Sequence, residues 1–425
     1  MIDTIFALSS GAPPAAIAVI RVSGPAAGAA MLTLTGKQLI PRQAVSAALQ
    51  DGAGNVLDQA LTLWLPGPGT ATGEDVLELH CHGGRAVIGA VQAALAAVPG
   101  LRAAEPGEFT RRAFTNGRID LAEAEGLADL LSAETELQRQ AAMAMAGGAL
   151  SRQVKDWRER LLLQSAALEA VLDFGDEDDV ATLPADFVVR IGALEQELAT
   201  WLTRPRAESL REGYRVVIAG PPNAGKSTLF NVLVEAEAAI ATPIPGTTRD
   251  VLTRPVAYAG VPFLFADTAG LHDAAGDEVE AIGIERAMEA LDRADLVLWL
   301  GPEGQGPDGA WEIESQCDRP DTLAKEATRH RISAVSGEGI AALRADLIET
   351  ARAALPKPGD AALNERQHAL LRDAARSLGL ARHEHDPLLM AEALRLARVS
   401  FDGLLGQTTT EDMLDALFGQ FCIGK

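Results

Sequence analysis

Aromatic residues are scarce in this 425-residue chain, at 4%, and it holds only three cysteines, Cys81, Cys317 and Cys422. So few scattered thiols build no disulfide framework and suit a reducing compartment. Positive charge is also in short supply: 37 Lys and Arg stand against 59 Asp and Glu, a formal net charge of −22. Non-specific nucleic-acid binding depends on cations that neutralise phosphates, so a surface basic throughout is excluded. An RNA partner must then meet a local basic patch or be gripped by a second protein. No apolar run reaches the roughly 18 residues of a membrane span. The opening "MIDTIFALSSGAPPAAIAVIRVSG" lacks the basic start of a signal peptide. A cytoplasmic chain with no membrane association is expected. Its length and its wealth of Ala and Leu point to two or three domains, combining long helices with at least one α/β domain.

Three textures follow one another. Residues 1–118 alternate apolar runs with turn signals: "IAVIRVSG", "ALTLWLPG" and "DVLELHCHGG" read as strands, and "RAVIGAVQAALAAVPG" as an amphipathic helix with a glycine stop. This predicts a small α+β domain. From residue 119 apolar residues recur at three-and-four spacing for some fifty residues, with one break expected at Gly147-Gly148, and a second helical block runs to about residue 210. The segment 354–425 has the same helical character. Between the blocks, residues 213–353 carry short buried-strand patterns, "YRVVIAG", "PFLFADTAG", "ADLVLWLG" and "RISAV", separated by helix-length stretches. That rhythm predicts a doubly wound parallel sheet inserted into one discontinuous helical domain, 119–212 with 354–425.

The most specific signal is "VVIAGPPNAGKSTLF". Gly220, Gly225, Lys226 and Ser227 fit G-x-x-x-x-G-K-[ST] between a strand and a helix. Glycines let backbone N–H groups wrap phosphates, the helix start adds its dipole, Lys226 reaches the β/γ-phosphates and Ser227 the Mg²⁺. "DTAG" at 267–270 puts Asp267 near the Mg²⁺ and Gly270 beside the γ-phosphate, and "GTTRD" at 246–250 offers Thr248 as a second Mg²⁺ ligand. The usual guanine-reading Asn-Lys-x-Asp is replaced by Ser315-Gln316-Cys317-Asp318. Asp318 keeps the contact that discriminates most, since its carboxylate pairs with the guanine N1–H and 2-amino group. Ser315 and Gln316 lose the tie to neighbouring loops and the stacking stem, so weakened affinity with retained guanine preference is expected. "HCHGG" is no metal site, because His80, Cys81 and His82 alternate faces on a strand. The acidic run "DFGDEDD" at 173–179 reads as a solvated stretch.

These motifs, with "IPGTTRD", "DTAGLHDAAGDEVEAIGIERA", "TGEDVLELHCHGG", "PGEFTRRAFTNGRIDLAEAEGLADL" and the terminal "FCIGK", resemble the tRNA-modifying GTPase family MnmE (TrmE) over essentially the whole length. The resemblance implies an N-terminal α+β folate-binding and dimerisation domain, a discontinuous helical domain and an inserted Ras-like P-loop G domain. It implies a K⁺-activated GTPase that works with the flavoprotein MnmG, bearer of FAD and NADH, in a heterotetramer or larger complex. The substrate would be the wobble uridine of certain tRNAs, modified at C5 with carbon from 5-formyl-tetrahydrofolate or a related one-carbon folate.

The same resemblance carries roles onto residues. K⁺ would be held by Asn223 and by backbone oxygens around Thr242, Ile244 and Thr247, and Glu280 would orient the attacking water. Nucleotide contacts would extend to Ala224, Thr228, Thr268, Ala269, Ser333 and Ala334, the Ala334 N–H facing guanine O6. Folate would meet Arg21, Glu78, Arg118 and Lys425, although the family often has Lys where Arg118 stands. Cys422 would act near the folate pocket. Two rivals stay open at this stage. One is a GTP-dependent assembly switch without modification chemistry, which has no need of "FCIGK". The other is a P-loop ATPase that drifted from guanine, against which "GTTRD" and "DTAG" argue.

Overall fold

Strict alternation builds the first sheet. In β2 (Ala15–Ser23) Ala18, Ile20 and Val22 are buried while Val19 and Arg21 face the other side; in β5 (Val76–Gly83) Leu77, Leu79 and Cys81 are buried and Glu78 and His80 point away. The computed structural model describes residues 3–173, 183–235, 253–267, 288–320, 324–408 and 410–424. Two compact units emerge, one of residues 1–128 with 401–425 and the other of residues 129–400.

In the first unit β1 (Thr4–Leu8), β2, β3 (Ala44–Gln50), β4 (Val56–Leu65), β5 and β6 (Leu101–Ala103) form one sheet, ordered β3-β4-β5-β2-β1-β6. Every pairing is antiparallel except β1 with β6. Helices α1 (Ala27–Thr35) and α2 (Arg85–Ala96) cover one face, burying Met31, Leu34, Trp64, Ile88 and Val91 among the strands' apolar side chains. The α+β expectation holds, with β1, β3, β6 and α1 added to the elements legible in sequence. Helix α3 (Glu108–Thr115) sends Phe109 to the opposite face, beside Ile5 and Ala7.

The helical run from residue 119 breaks twice rather than once. Helix α4 spans Leu121–Ser132, α5 Glu136–Ala146 and α6 Ala149–Asp173. The unforeseen stop is a capping box. The Thr135 hydroxyl accepts from Gln138 N–H at 3.3 Å, and the Gln138 side chain accepts from Thr135 N–H at 2.9 Å. Helix α7 (Phe187–Leu202) buries Phe187, Ile191, Leu194 and Leu198, and α8 (Ala207–Glu212) leads into the second sheet. All of the acidic run except Asp173 lies outside the described residues.

The second sheet contains β7 (Tyr214–Ala219), followed by α9 (Lys226–Glu235), then β8 (Thr253–Tyr258), β9 (Val261–Asp267), β10 (Leu296–Trp299), β11 (Trp311–Glu314) and β12 (His330–Arg331), with α10 (Ile340–Ala354) after it. Its order is β12-β11-β10-β7-β9-β8, parallel except for β8 against β9. This is the Ras-like arrangement, its first strand central and its second strand an antiparallel edge. Sequence patterning missed β8 and β11. Pro255 disguises the first, and only an edge strand tolerates it; the second is four residues long with two glutamates. Helix α11 (Glu365–His383) packs on α7 through Leu371, Ala374, Leu378 and Ala381. Helix α12 (Pro387–Leu405) and the short α13 (Glu411–Phe418) end the chain. In the first unit α13 lies on α3 and α4, with Leu414, Phe418 and Phe421 buried beside Leu121 and Ala124, and Arg111 bonded to Asp415 at 2.7 Å and to Glu411.

Candidate functional site

The phosphate loop grows from a strand that stops and a helix that starts. Strand β7 ends at Ala219 and α9 begins at Lys226. Gly225 has φ +92°, which a side chain would strain, and Asn223 has φ 63°, in the left-handed region that Asn enters more readily than most residues. Lys226 is 5% exposed, and its ammonium donates to the carbonyl oxygens of Gly220 and Pro221, each at 2.9 Å. Asn223, Ser227 and Thr228 are exposed around the first turn of α9, where the N–H groups of a helix start and the helix dipole favour an anion. Asp267, buried at the end of β9, pairs in register with Ile218 of β7. An ammonium and a carboxylate are thus brought to the carboxyl ends of adjacent parallel strands, where open α/β sheets receive ligands.

The loops after β11 and β12 stand at the same end of the sheet. Here one expectation fails. Ser315 and Gln316 do not lose the tie: the Ser315 hydroxyl donates to the carbonyl of Ala224 at 2.7 Å, and the Gln316 amide donates to that of Asn223 at 3.0 Å. Side chains shorter than Asn-Lys still reach the phosphate loop because the β11 loop runs close beside it. Cys317 N–H donates to the Ile332 carbonyl at 3.1 Å, joining the two loops. The Ser333 hydroxyl, fully buried, bonds Asp318 and holds its carboxyl below the usual carboxylate range. Burial, and after it Glu338, pushes the Cys317 thiol up, so it stays neutral beside that carboxylate. Ala334 is half-buried in the same turn.

A second constellation lies in the first unit. Arg21 and Glu78 are register partners, and the guanidinium bonds one carboxylate oxygen through Nε at 3.0 Å and through NH2 at 2.9 Å. The Arg21 guanidinium lies 5.9 Å from the centre of the Phe109 ring. Exposed Arg118 donates to the Thr70 carbonyl at 3.1 Å. The chain's last described residues reach the same sheet. Ile423 forms an antiparallel bridge with Pro106, and Gly424 is pressed against Leu8 and Ser9, next to Ala7, the register partner of Arg21. Cys422 is exposed between Phe421 and Ile423. Cys81, buried on the opposite face of β5 from Glu78, is different: burial pushes its thiol up to about 12, while His82 turns outward to Asp58 at 2.7 Å.

Comparison with known proteins agrees with this layout. The GTP-binding protein TrmE N-terminus family matches residues 4–118, and the MnmE helical domain family matches residues 121–422. The tRNA modification GTPase MnmE of Erythrobacter litoralis is 62% identical over 423 residues, covering 100% of both chains. The chain belongs to the MnmE family of tRNA modification GTPases. The MnmE of Novosphingobium aromaticivorans is likewise 62% identical with full coverage of both chains, and that of Rhizorhabdus wittichii is 58% identical, covering 100% of this chain and 97% of its own.

In this MnmE-family chain several sequence-predicted residues fall outside the described ones: Thr242, Ile244, Thr247, Thr248, Thr268, Ala269, Gly270, Glu280 and Lys425. Among the described ones, Asn223 to Thr228, Asp267, Asp318, Ser333 and Ala334 gather at one end of the second sheet, and Arg21, Glu78 and the tail carrying Cys422 share one region of the first. Sequence reasoning missed Ser315 and Gln316 as functional side chains. Their only signal was their place in the tetrad, because the acceptors are backbone carbonyls with no residue signature. No helix among the described residues is long and apolar enough to cross a membrane.

Proposed function

We propose that this member of the MnmE family is a K⁺-activated GTPase that acts as a homodimer with the flavoprotein MnmG, carrier of FAD and NADH. Together they would modify C5 of the wobble uridine of certain tRNAs with a carbon from a one-carbon folate. Residues 1–118 hold the folate and dimerise, residues 213–353 bind and hydrolyse GTP, and residues 119–212 with 354–425 supply the helical frame and the tail. The reading is carried by the phosphate loop and the Asp318 loop meeting at one sheet end, bonded at Ser315–Ala224 and Gln316–Asn223.

The phosphates lie along the 220–228 loop and helix start, with Lys226 turning its ammonium from the loop carbonyls to the β/γ oxygens. The oxygens available, the exposed Ser227 hydroxyl and the nearby buried Asp267, are the hard donors Mg²⁺ requires, and Ser227 with Thr248 would hold it. The exposed Asn223 can turn an amide oxygen to K⁺, which Thr242, Ile244 and Thr247 would complete. Bound cations neutralise charge that develops between the β- and γ-phosphates. Glu280 orients the attacking water, and Ala224, Thr228, Thr268, Ala269 and Gly270 line the phosphates. Asp318 accepts from guanine N1–H and the 2-amino group, with Ser333 fixing its carboxylate and Ala334 N–H facing O6.

Folate, with its glutamyl carboxylate and its pterin donors, suits the Arg21–Glu78 pair, which presents both a guanidinium and a carboxylate on one strand pair. Arg118 and Lys425 would add positive charge for the folate carboxylates. Cys422, exposed on the docked tail, acts on the modification side. Hydrolysis of GTP against ATP, each in KCl and in NaCl, tests the nucleotide half. K⁺-dependent turnover of GTP alone is expected. Replacing Asp318 by Asn should move preference to xanthosine nucleotides, whose 2-oxo group needs a donor. ATP turnover equal to GTP turnover would sink the assignment of Asp318.

A further inference from the structure

The loop after β11 lacks the Asn and Lys that usually fasten a guanine reader, yet it is fastened. We infer that Gln316, assisted by Ser315, is the positioning device that locks the base-reading loop to the phosphate loop and so sets guanine-nucleotide affinity. The inference rests on the proposed reading of Asp318 and adds a partner to it.

The Gln316 amide is pinned at both ends. Its Nε2 donates to the Asn223 carbonyl at 3.0 Å, and its Oε1 accepts from Arg319 NH1 at 3.2 Å. Arg319 N–H in turn donates to the Gln316 carbonyl at 2.9 Å, closing the turn that carries Asp318. The side chain lies across the phosphate loop: a methyl built on Gly225 would meet Gln316 Nε2 at 3.2 Å and Cγ at 3.6 Å. One step away, Ser315 Oγ holds the Ala224 carbonyl at 2.7 Å. Two consecutive residues of one loop therefore grip two consecutive peptides of the other.

Backbone geometry makes the same point. Among the described residues four non-glycine positions have positive φ: Arg42, Asn223, Ala259 and Gln316. Two of them, Asn223 at 63° and Gln316 at 58°, are the two partners of this one hydrogen bond. Left-handed backbone at such residues persists only where the surroundings over-determine it. The contact supplies that constraint to both loops at once. Neither loop can relax without releasing the other, so the Asp318 carboxylate and the phosphate cradle keep a fixed separation.

The test compares Gln316→Ala and Gln316→Glu with the unaltered chain in binding of fluorescent GDP and ADP, with Asp318→Asn run beside them. The Glu variant keeps the shape and the Arg319 bond but has no donor for the Asn223 carbonyl. Both variants should weaken GDP about tenfold, chiefly through faster release, and ADP by much less, since ADP uses the phosphate loop without the Asp318 contact, so the guanine-to-adenine ratio falls. A purely structural role would lower the melting temperature and weaken both nucleotides alike. GDP binding by Gln316→Glu equal to that of the unaltered chain, while Asp318→Asn gains xanthosine diphosphate, overturns the tie and leaves base reading intact. No gain of xanthosine diphosphate by Asp318→Asn removes the base-reading assignment and the tie with it.

Discussion

Replacing Gly424 by Ala should separate GTP hydrolysis from tRNA modification. Gly424 has φ +96°, and a methyl there would collide with the Leu8 carbonyl oxygen and fall 2.9 Å from the Leu8 carbonyl carbon and 3.0 Å from Ser9 Cα. Carbon atoms settle at about 3.5–4.0 Å and the oxygen is met closer still, so the tail must retreat by about 1 Å or more. Left-handed backbone costs a residue with Cβ about 1–2 kcal/mol more. All three contacts are with main chain, which cannot swing aside as a flexible side chain would. Among the described residues, the Pro106–Ile423 bridge and the buried Phe421 then hold the segment that carries Cys422, and the exposed Cys422 has little packing of its own to restore its place. A displacement of about 1 Å at a reacting group costs on the order of a hundredfold in rate. The assay is mass spectrometry of wobble nucleosides in tRNA treated with the variant and the proposed flavoprotein partner, with phosphate release followed separately. Modification should fall about a hundredfold, as with Cys422→Ser, and GTP turnover should stay within about twofold. Modification at the unaltered rate, or parallel loss of both activities, would refute the reasoning.

Arg112 donates to the Asp3 carbonyl at 2.8 Å, to the Asp3 carboxylate at 2.6 Å, and to Glu108 and Glu74 at 3.0 and 3.2 Å. Arg112→Ala leaves half-buried carboxylates without that partner and should destabilise the first unit by about 3 kcal/mol, read from urea unfolding. Burial works to raise the Glu108 pKa, but bonds from Arg102, the Glu105 N–H and Arg112 outweigh it, and the net shift is downward from 4.5. The stability this carboxylate contributes is therefore complete above its ordinary range and is lost as pH falls through the lower folded value. Urea resistance of the first unit should hold from about pH 7 to about pH 5 and fall below about pH 4, less steeply in Arg112→Ala. Asn223→Gly should keep the left-handed turn, and GDP affinity within about twofold, while losing K⁺ stimulation. Asn223→Ala should lose both, since the turn is then strained by about 1–2 kcal/mol. Titration with GDP and turnover across KCl concentrations distinguish the two.

Local chemistry wrote much of this protein into its sequence. The G-x-x-x-x-G-K-S run, the alternation in β2 and β5 and the three-and-four spacing of the helices are short-range patterns, and each specifies its element before any tertiary contact forms. The capping box at Thr135 was equally local and simply overlooked. Strands β8 and β11 were not legible, because their places in the sheet come from neighbours far along the chain and not from their own composition. Only tertiary structure decided that Ser315 and Gln316 bond the phosphate loop. A hydrogen bond to a backbone carbonyl needs proximity and no particular partner residue, so the carbonyls of Ala224 and Asn223, some ninety positions earlier, left no trace in the sequence. The same holds for the tail: "FCIGK" was visible as a motif, but its seat against Leu8 and Pro106 depends on how the sheet and α13 bring the two ends of the chain together.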